Sequence, residues 1–132
     1  QESALKGARI LLVEDNELNQ EIAKTLLEMN GATVDVAGNG EVAIRCFRDQ
    51  KPGTYQAILM DIRMPVMDGL DATRGIRALN REDSASVPIL AMTANAFEED
   101  RKKAFEASMN GYLVKPLDIT MLISELEKAI GK

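Results

Sequence analysis

The sequence predicts an α/β domain in which helices cover both faces of a parallel sheet. Short apolar runs alternate with stretches of helical periodicity five times along the 132 residues. The segments that join them are short, which is typical of strand-helix repeats that wind back onto one sheet. The central run, 57–60, is apolar at every position, as expected for a strand buried on both faces.

The five predicted strands share apolar or β-branched residues bounded by turn residues. They cover residues 9–13, 33–37, 57–60, 87–93 and 112–115. The second strand alternates in polarity, so we expect it to be half exposed. Asn110-Gly111 is expected to turn the chain into the fifth strand.

The first helix is predicted to run from Asn16, a capping residue, to the stop signal Asn30-Gly31. Its apolar residues recur at helical spacing, which supports the helix. These residues are Leu18, Ile22, Leu26 and Met29.

Three of the remaining helices are predicted to begin at the capping residues Asn39, Asp68 and Asp118. The helix after Asp68 is expected to end at about Asn80, and the fourth helix to cover about 98–107. The expected packed residues of the second, third and fifth helices are Val42, Ala43, Cys46, Phe47, Leu70, Thr73, Ile76, Leu79, Ile119, Leu122, Ile123, Leu126 and Ile130.

Composition and charge exclude several classes of function. The net charge of −5 argues against a nucleic-acid surface, where lysine and arginine dominate affinity. The chain has no histidine, which excludes a Ser-His-Asp triad, histidine metal ligands and a phosphohistidine within it. Its single cysteine, Cys46, excludes an internal disulfide and is expected to be a small buried hydrophobe. No apolar run is long enough to cross a membrane, so we expect no membrane contact by this domain.

We divide the chain into a short linker and one domain. Residues 1–7 are small and polar and are expected to be a frayed linker, whereas residues 8–132 are expected to form the domain. The chain begins with Gln1 rather than methionine, so we expect a piece of a longer protein.

Acidic and polar side chains stand where four predicted strands end. Glu14 and Asp15 follow the first strand, Asp61 ends the third, Thr93 ends the fourth and Lys115 ends the fifth. The carboxyl ends of parallel strands lie at one edge of the sheet, which is where ligands bind in this class. We therefore expect these five residues to meet.

The expected cluster has the chemistry of a phosphoryl-transfer site. Three carboxylates repel one another and do not all ionise unless a cation is near. Oxygen ligands of this kind suit Mg²⁺, which completes its shell with water and phosphate oxygens. Lys115 adds a positive charge and Thr93 a hydroxyl, so a phosphoryl group on Asp61 would be held on several sides.

Each residue also has a plainer interpretation. Glu14 and Asp15 could be first-turn acids that favour the helix dipole, and Asp61 a helix cap or a loop residue. Thr93 could be an ordinary β-branched strand residue, and Lys115 a solvated strand end. The five together, at the ends of four strands, favour the functional interpretation.

Four motifs make the chain resemble the receiver domain of bacterial two-component response regulators. They are LVEDN at 12–16, LMDIRMPVMDG at 59–69, Thr93-Ala94, and GYLVKP at 111–116. The resemblance extends from about Ala8 to Ile130, and the order and spacing of the motifs agree with the family. It implies a flavodoxin-like (CheY-like), doubly wound sheet of five parallel strands in the order 2-1-3-4-5.

The resemblance assigns a metal site to the first and third strand ends. It implies that Asp61 is the phosphoacceptor. Asp15 and Asp61 would bind Mg²⁺ (or Mn²⁺) directly, together with the backbone carbonyl of Arg63. Glu14 would bind the metal largely through water.

The resemblance also assigns the groups that hold the phosphoryl oxygens. These would be Thr93 and Lys115, assisted by the backbone N–H groups of Arg63 and Ala94. It further implies a cis peptide between Lys115 and Pro116.

Further roles follow from the resemblance for residues around the site. On phosphorylation the Thr93 hydroxyl would move inward and Tyr112 would follow, which changes the face built from the fourth helix, fifth strand and fifth helix. Arg63 and Asn95 would flank the attacking water, so we expect them to tune the lifetime of the aspartyl phosphate. Ser108 stands where the family commonly has glycine, and a left-handed backbone there would cost about 1 kcal/mol.

The segments 16–20 and 92–97 look like those of receivers in hybrid sensor histidine kinases. Such a receiver takes its phosphoryl group from a kinase histidine and hands it to a histidine phosphotransfer domain or controls an output domain. A stand-alone response regulator is the alternative. As an isolated domain the chain is expected to be no enzyme, apart from self-phosphorylation and slow autodephosphorylation. It is expected in the cytoplasm, within a parent that could be a hybrid kinase anchored to the inner membrane.

Three rival functions fit the sequence less well. A haloacid-dehalogenase-like Mg²⁺-dependent phosphohydrolase acting through an aspartyl phosphate usually needs a second Asp where this chain has Arg63. A flavodoxin-like electron carrier needs a hydroxyl- and glycine-rich phosphate loop, and the acids at 14–17 would repel phosphate. A pseudo-receiver usually lacks one of the acids or the lysine, and all are present here.

Overall fold

A computed structural model describes residues 5–64, 66–93, 98–115 and 117–130; the side chains of residues 98–100 and 119 are not described. The described strands form one five-stranded sheet in the order 2-1-3-4-5. All four strand pairings are parallel. The predicted strand-helix alternation and the doubly wound fold are confirmed.

The strands and helices alternate strictly along the chain. Their bounds are β1 Arg9–Val13, α1 Glu17–Met29, β2 Thr33–Ala37, α2 Gly40–Asp49, β3 Ala57–Asp61, α3 Gly69–Arg77, β4 Ile89–Thr93, α4 Glu98–Glu106, β5 Gly111–Val114 and α5 Ile119–Ile130.

Alternate residues of the central strands belong to two separate apolar cores, one on each face of the sheet. Leu11 and Val13 of β1 pack with residues of α2, α3 and α4. Ile10 and Leu12 of the same strand pack with residues of α1 and α5. Because a strand points successive side chains to opposite faces, the continuous apolar runs in the sequence supply both cores at once.

Polar caps fix where the helices begin after the strand ends. The side chains of Asn16, Asn39 and Asp68 accept hydrogen bonds from backbone N–H groups in the first turns of α1, α2 and α3. Asp118 accepts from the N–H of Thr120 at the start of α5. Each cap satisfies a donor that the helix leaves unpaired, which confirms the four predicted helix starts.

Of the four residues that give α1 its helical spacing, Leu26 packs against the core and the other three are exposed. Leu18 is 68% exposed, Ile22 49% and Met29 77%, whereas the fully packed residues are Ala23 and Leu27. The periodicity correctly indicated a helix, but α1 carries two apolar stripes. Ala23 and Leu27 belong to the stripe that packs against the sheet, whereas Leu18, Ile22 and Met29 belong to the stripe that faces outward.

Several element ends differ from the predicted ones by a few residues. Gly111 begins β5 rather than forming a turn, and Lys115 lies just beyond that strand. Helix α3 ends at Arg77 rather than near Asn80. Cys46 is a free thiol that is partly buried against the core rather than fully inside it. Element ends are the least determined part of a sequence pattern, because tertiary contacts decide them.

The first described residues are more ordered than a frayed linker. Leu5 is 0% exposed and belongs to the core shared with α1 and α5. The N–H of Gly7 donates to the carbonyl of Gly31 at 3.0 Å. The expectation of fraying fails at these residues because one leucine supplies enough apolar surface to hold the segment. The domain boundary itself stays a prediction, since residues 1–4 lie outside the described range.

Truncating the buried leucine is expected to destabilise the domain. Leu5→Ala should lower the free energy of unfolding by about 3 kcal/mol, through lost burial and the cavity left behind. Leu18→Ala is the matched control, because Leu18 is 68% exposed. Urea denaturation measures both, and equal midpoints for the two variants would contradict the burial of Leu5.

The backbone at Ser108 is left-handed, with φ at 76°. This conformation agrees with the expectation for a position where the family commonly has glycine. Its carbonyl oxygen accepts hydrogen bonds from Nε and Nη2 of Arg77 at 3.1 and 2.8 Å. These bonds involve only the backbone of Ser108, so they survive a change of its side chain.

Ser108→Gly is therefore expected to stabilise the domain by about 1 kcal/mol, because glycine enters the left-handed region without steric cost. Thermal unfolding monitored by far-UV circular dichroism checks the prediction. A lower midpoint than that of the wild type would count against the strained geometry.

Among the described residues, no helix is both long and apolar enough to span a membrane.

Candidate functional site

Three carboxylates meet at the carboxyl edge of the sheet. Glu14 and Asp15 follow β1 and Asp61 ends β3, and these strands are direct neighbours. One carboxylate oxygen from each residue lies within 4.8 Å of the other two. Glu14 and Asp61 are buried, at 2% and 4% exposure, whereas Asp15 is exposed. The neighbouring strand ends thus bring the predicted acids together.

Lys115 bridges the two buried acids. Its Nζ lies 2.8 Å from Oε1 of Glu14 and 3.0 Å from Oδ2 of Asp61. The backbone N–H of Lys115 donates to the carbonyl of Thr93 at 2.7 Å, which positions the residue directly after β5. Burial alone would lower the pKa of Lys115, but its hydrogen bonds to Glu14 and Asp61 outweigh burial and raise it. The lysine therefore stays charged at neutral pH.

The pKa of Asp61 is raised well above its ordinary value. Burial raises its pKa from 3.8 to about 6, the charge of Glu14 adds to the rise, and Lys115 opposes it. A single ammonium group does not offset two buried carboxylates and a third at the rim. The donor set is thus negatively charged oxygen with room for a further cation, which fits Mg²⁺ or Mn²⁺.

The backbone and α1 hold Glu14 in place. Its Oε2 accepts from the N–H of Asn16 at 3.2 Å, and its backbone carbonyl accepts from Nε2 of Gln20 at 2.6 Å. No separate role was predicted for Gln20. Its place one turn into the helix that follows the acids was the signal available, because such a side chain can reach back to the strand end.

The remaining predicted residues lie in different surroundings. Thr93 is buried at 2% exposure, at the end of β4 beside β3. Arg63 has an exposed side chain, and its backbone N–H lies 3.3 Å from Oδ1 of Asp61. Tyr112 is partly buried against the core that α2, α3 and α4 cover. The predicted roles of Ala94, Asn95 and Pro116, and with them the cis peptide at 115–116, lie outside the described residues.

Gly69 lies against the backbone of the phosphoacceptor candidate. A Cβ at this position would overlap the carbonyl oxygen of Asp61 and lie 2.9 Å from Cα of Ile62. The N–H of Gly69 donates to the carbonyl of Ile62 at 2.8 Å. The Asp-Gly pair that ends the central motif is thus more than a turn signal, because the close approach leaves no space for a side chain.

A second contact fixes the loop between β3 and α3 from the other side. The carbonyl of Met67 accepts from the N–H of Gly40 at 3.2 Å, at the start of α2. Val66, which lies between Ile62 and Met67 in this loop, adopts a left-handed backbone with φ at 71°. This conformation of Val66 was not predicted, since no local pattern marks a valine as left-handed.

Comparison with known proteins places this geometry in a family. The model of the response regulator receiver domain matches residues 10–127. The chain therefore belongs to the response regulator receiver family. It is a receiver domain of a two-component phosphorelay, and the fold and the acidic cluster agree with that class.

The most similar relatives include receivers within much longer kinases. The chain is 35% identical over 126 residues to hybrid signal transduction histidine kinase I of Dictyostelium discoideum, covering 94% of this chain and 7% of the relative. It is 40% identical over 125 residues to the aerobic respiration control sensor protein ArcB of Escherichia coli, covering 94% of this chain and 15% of the relative. The chain thus spans a small part of each relative.

Solved structures show the same fold. The receiver domain of the sensor histidine kinase PA1611 from Pseudomonas aeruginosa matches with a TM-score of 0.85 and 44% sequence identity. The match covers 96% of this chain and 99% of that domain. That structure holds a magnesium ion in its active site cleft. The receiver of Ssk1 from Saccharomyces cerevisiae, in a co-crystal with the histidine phosphotransfer protein Ypd1, has a TM-score of 0.84 and 29% identity, covering 95% and 90%.

Proposed function

We propose that this receiver accepts a phosphoryl group on Asp61 and takes it from a phosphohistidine. The observation that carries the proposal is the buried Asp61 carboxylate, held by Lys115 beside two further acids at the edge where the strands end. In the transfer, the nitrogen–phosphorus bond of the donor breaks as a bond forms to a carboxylate oxygen of Asp61. The histidine nitrogen retains the bonding electron pair.

The chain's own groups would prepare that step. Asp61 has a pKa of about 6, so most molecules carry the nucleophilic carboxylate at neutral pH. The ammonium of Lys115 and the Thr93 hydroxyl would stabilise charge on the phosphoryl oxygens. Glu14, Asp15, Asp61 and the Arg63 carbonyl would hold Mg²⁺ or Mn²⁺. Such an ion, when bound, neutralises phosphoryl and carboxylate charge.

The partner in transfer is proposed to be a histidine phosphotransfer domain or the phosphohistidine domain of a kinase. Support comes from the outward stripe of α1, where Leu18 and Ile22 are exposed near the acids. Ile22 and Lys115 both line a cavity of about 60 Å³ beside Glu14. A partner that reaches Asp61 would cover this apolar surface, which explains why it is unpaired in the isolated domain.

The wider context remains part of the proposal. The parent chain would be a hybrid sensor histidine kinase, as in the relatives, and the isolated domain would only accept and slowly lose the phosphoryl group. Tyr112 would report phosphorylation to the face formed by α4, β5 and α5. Arg63 and Asn95 would set the lifetime of the phosphoaspartate.

Incubation with phosphoramidate, a small donor with a nitrogen–phosphorus bond, tests the chemistry. In the presence of Mg²⁺, intact-mass analysis should show the addition of one phosphoryl group to the wild type and none to Asp61→Asn. Asp49→Asn is the matched control, because Asp49 is exposed at the end of α2. Equal labelling of the wild type and Asp61→Asn would refute the assignment of the phosphoacceptor.

A further inference from the structure

The loop between β3 and α3 contains a residue whose conformation is costly. Val66 has φ at 71°, where a β-branched side chain is a genuine outlier because its Cβ crowds the backbone. Glycine or asparagine would occupy this position with less strain. A valine here therefore needs a reason other than folding of the loop.

The contacts around Val66 enforce this conformation. On its C-terminal side, the carbonyl of Met67 bonds the N–H of Gly40 and the N–H of Gly69 bonds the carbonyl of Ile62. Asp68 also caps α3 by accepting from the N–H of Asp71 at 2.9 Å. The loop is thus fixed in position, and the strain at Val66 is retained rather than relaxed.

The side chain of Val66 contributes little to the core. It is 75% exposed and belongs to neither apolar cluster among the described residues. Strain without burial lowers stability with no packing in return, and such outliers concentrate at functional sites. The strained backbone and the exposed side chain both favour a contact between Val66 and another protein.

The position of Val66 defines what that contact would be. Its loop leaves the carboxyl end of β3 directly after Asp61, and β1 lies beside β3. Two further exposed apolar residues, Leu18 and Ile22, lie in α1 on one face of the sheet, whereas the loop leads into α3 on the other face. Exposed apolar side chains therefore lie in the segments that follow the neighbouring strand ends of β1 and β3.

We propose that Val66 is a specificity-determining contact for the histidine-bearing protein that exchanges the phosphoryl group with Asp61. The inference rests on the proposed function. Any donor histidine must come within bonding distance of Asp61, so its carrier covers the loop that follows. The partner surface over Val66 is apolar, and small phosphodonors do not use the contact.

Three variants separate the effect of the partner contact on phosphoryl transfer from the effect of the backbone strain. Val66→Asn removes the apolar side chain and relieves the left-handed strain. Val66→Thr keeps the branched shape and the strain but introduces a hydroxyl. Ser108→Gly is the matched control, because Ser108 is the other described non-glycine residue with positive φ.

The measurement compares a protein donor with a small donor. Phosphorylated histidine phosphotransfer proteins, including Ypd1, are screened against the wild type, and the fastest is used for all variants. The equilibrium constant for folding should be about fivefold larger for Val66→Asn than for the wild type. The same variant should accept the phosphoryl group from the protein donor about tenfold more slowly than the wild type. Val66→Thr should show slower transfer without the gain in stability. Both should react normally with phosphoramidate, and Ser108→Gly should transfer at the wild-type rate.

The outcomes distinguish this inference from the proposed function. Unchanged transfer from the protein donor to Val66→Asn and Val66→Thr would overturn the contact at Val66 and leave the phosphoacceptor assignment standing. A loss of reaction with phosphoramidate in these variants would also overturn it, because the effect would lie in the site itself. If phosphoramidate labels the wild type but no protein donor does, the proposal of a histidine-bearing partner is wrong, and so is the proposed contact with Val66.

Discussion

Asp61→Asn is expected to stabilise the metal-free domain at neutral pH by about 2–3 kcal/mol, although it removes the proposed phosphoacceptor. In the wild type, Asp61 is 4% exposed and its carboxylate is close to that of Glu14. A neutral amide of the same shape avoids the cost of burying that charge. A stability gain at a residue that function requires is typical of a site selected for chemistry rather than for folding.

The pH dependence of this gain has a defined sign. The folded-state pKa of Asp61, about 6, lies above the ordinary value of 3.8, so the folded protein binds the proton more tightly than the unfolded chain. The contribution of this group to stability is fully present below about pH 4 and is lost as the pH rises through about 6. At ~1.4 kcal/mol for each pKa unit, the full loss is about 3 kcal/mol.

Urea denaturation of the wild type and Asp61→Asn across this pH range tests the prediction. The difference between their free energies of unfolding should be small near pH 4 and widen toward pH 7. Added Mg²⁺ should narrow the difference by stabilising the wild type more than the variant. Asp49→Asn, at an exposed position, should show no such widening. A constant difference at all pH values would contradict the raised pKa.

Gly69→Ala is expected to be the most damaging single methyl addition at the site, costing about 3 kcal/mol of stability. The new Cβ would overlap the carbonyl oxygen of Asp61 and would also contact Ile62. Both are backbone atoms next to the site, so the strand end must move to admit it. Labelling by phosphoramidate should fall together with the unfolding midpoint.

Gly75→Ala is the matched control within the same helix. There the nearest atom to a new Cβ is Cδ1 of Ile44 at 2.6 Å, the end of a side chain that can rotate away. The gain in helix propensity offsets part of that cost, so the change in stability should stay within about 1 kcal/mol. An equal loss of stability in the two variants, measured by thermal unfolding, would contradict the close approach of Gly69 to the backbone of Asp61.

Much of the site could be predicted because the parallel sheet converts position in sequence into position in space. A residue at the end of a buried strand lies at the carboxyl edge whatever the details of packing. Glu14, Asp61, Thr93 and Lys115 were placed at that edge on this basis, together with the exposed Asp15. Their residue types favour phosphoryl-transfer chemistry, the family resemblance assigns the individual roles, and these roles stay proposals.

Other features depend on tertiary contacts that no local pattern records. The outward stripe of α1 has the same periodicity as the inward stripe that contains Ala23 and Leu27, so the spacing alone does not show which stripe packs against the sheet. Leu5 is a single apolar residue in its segment, so no periodicity in the sequence indicates that it is buried. Val66 is left-handed in a loop that is held by a hydrogen bond between Gly69 and Ile62 and by a contact between Met67 and Gly40 of a distant helix.

The central claim is that Asp61 carries a phosphoryl group in a site completed by Mg²⁺. Beryllofluoride, which binds aspartate as a phosphoryl mimic, tests it directly by ¹⁹F nuclear magnetic resonance. The wild type and Ser108→Gly should both show a bound fluoride signal only when Mg²⁺ is present, and Asp61→Asn should show none. No bound signal in the wild type with Mg²⁺, or an undiminished signal in Asp61→Asn, would contradict the claim.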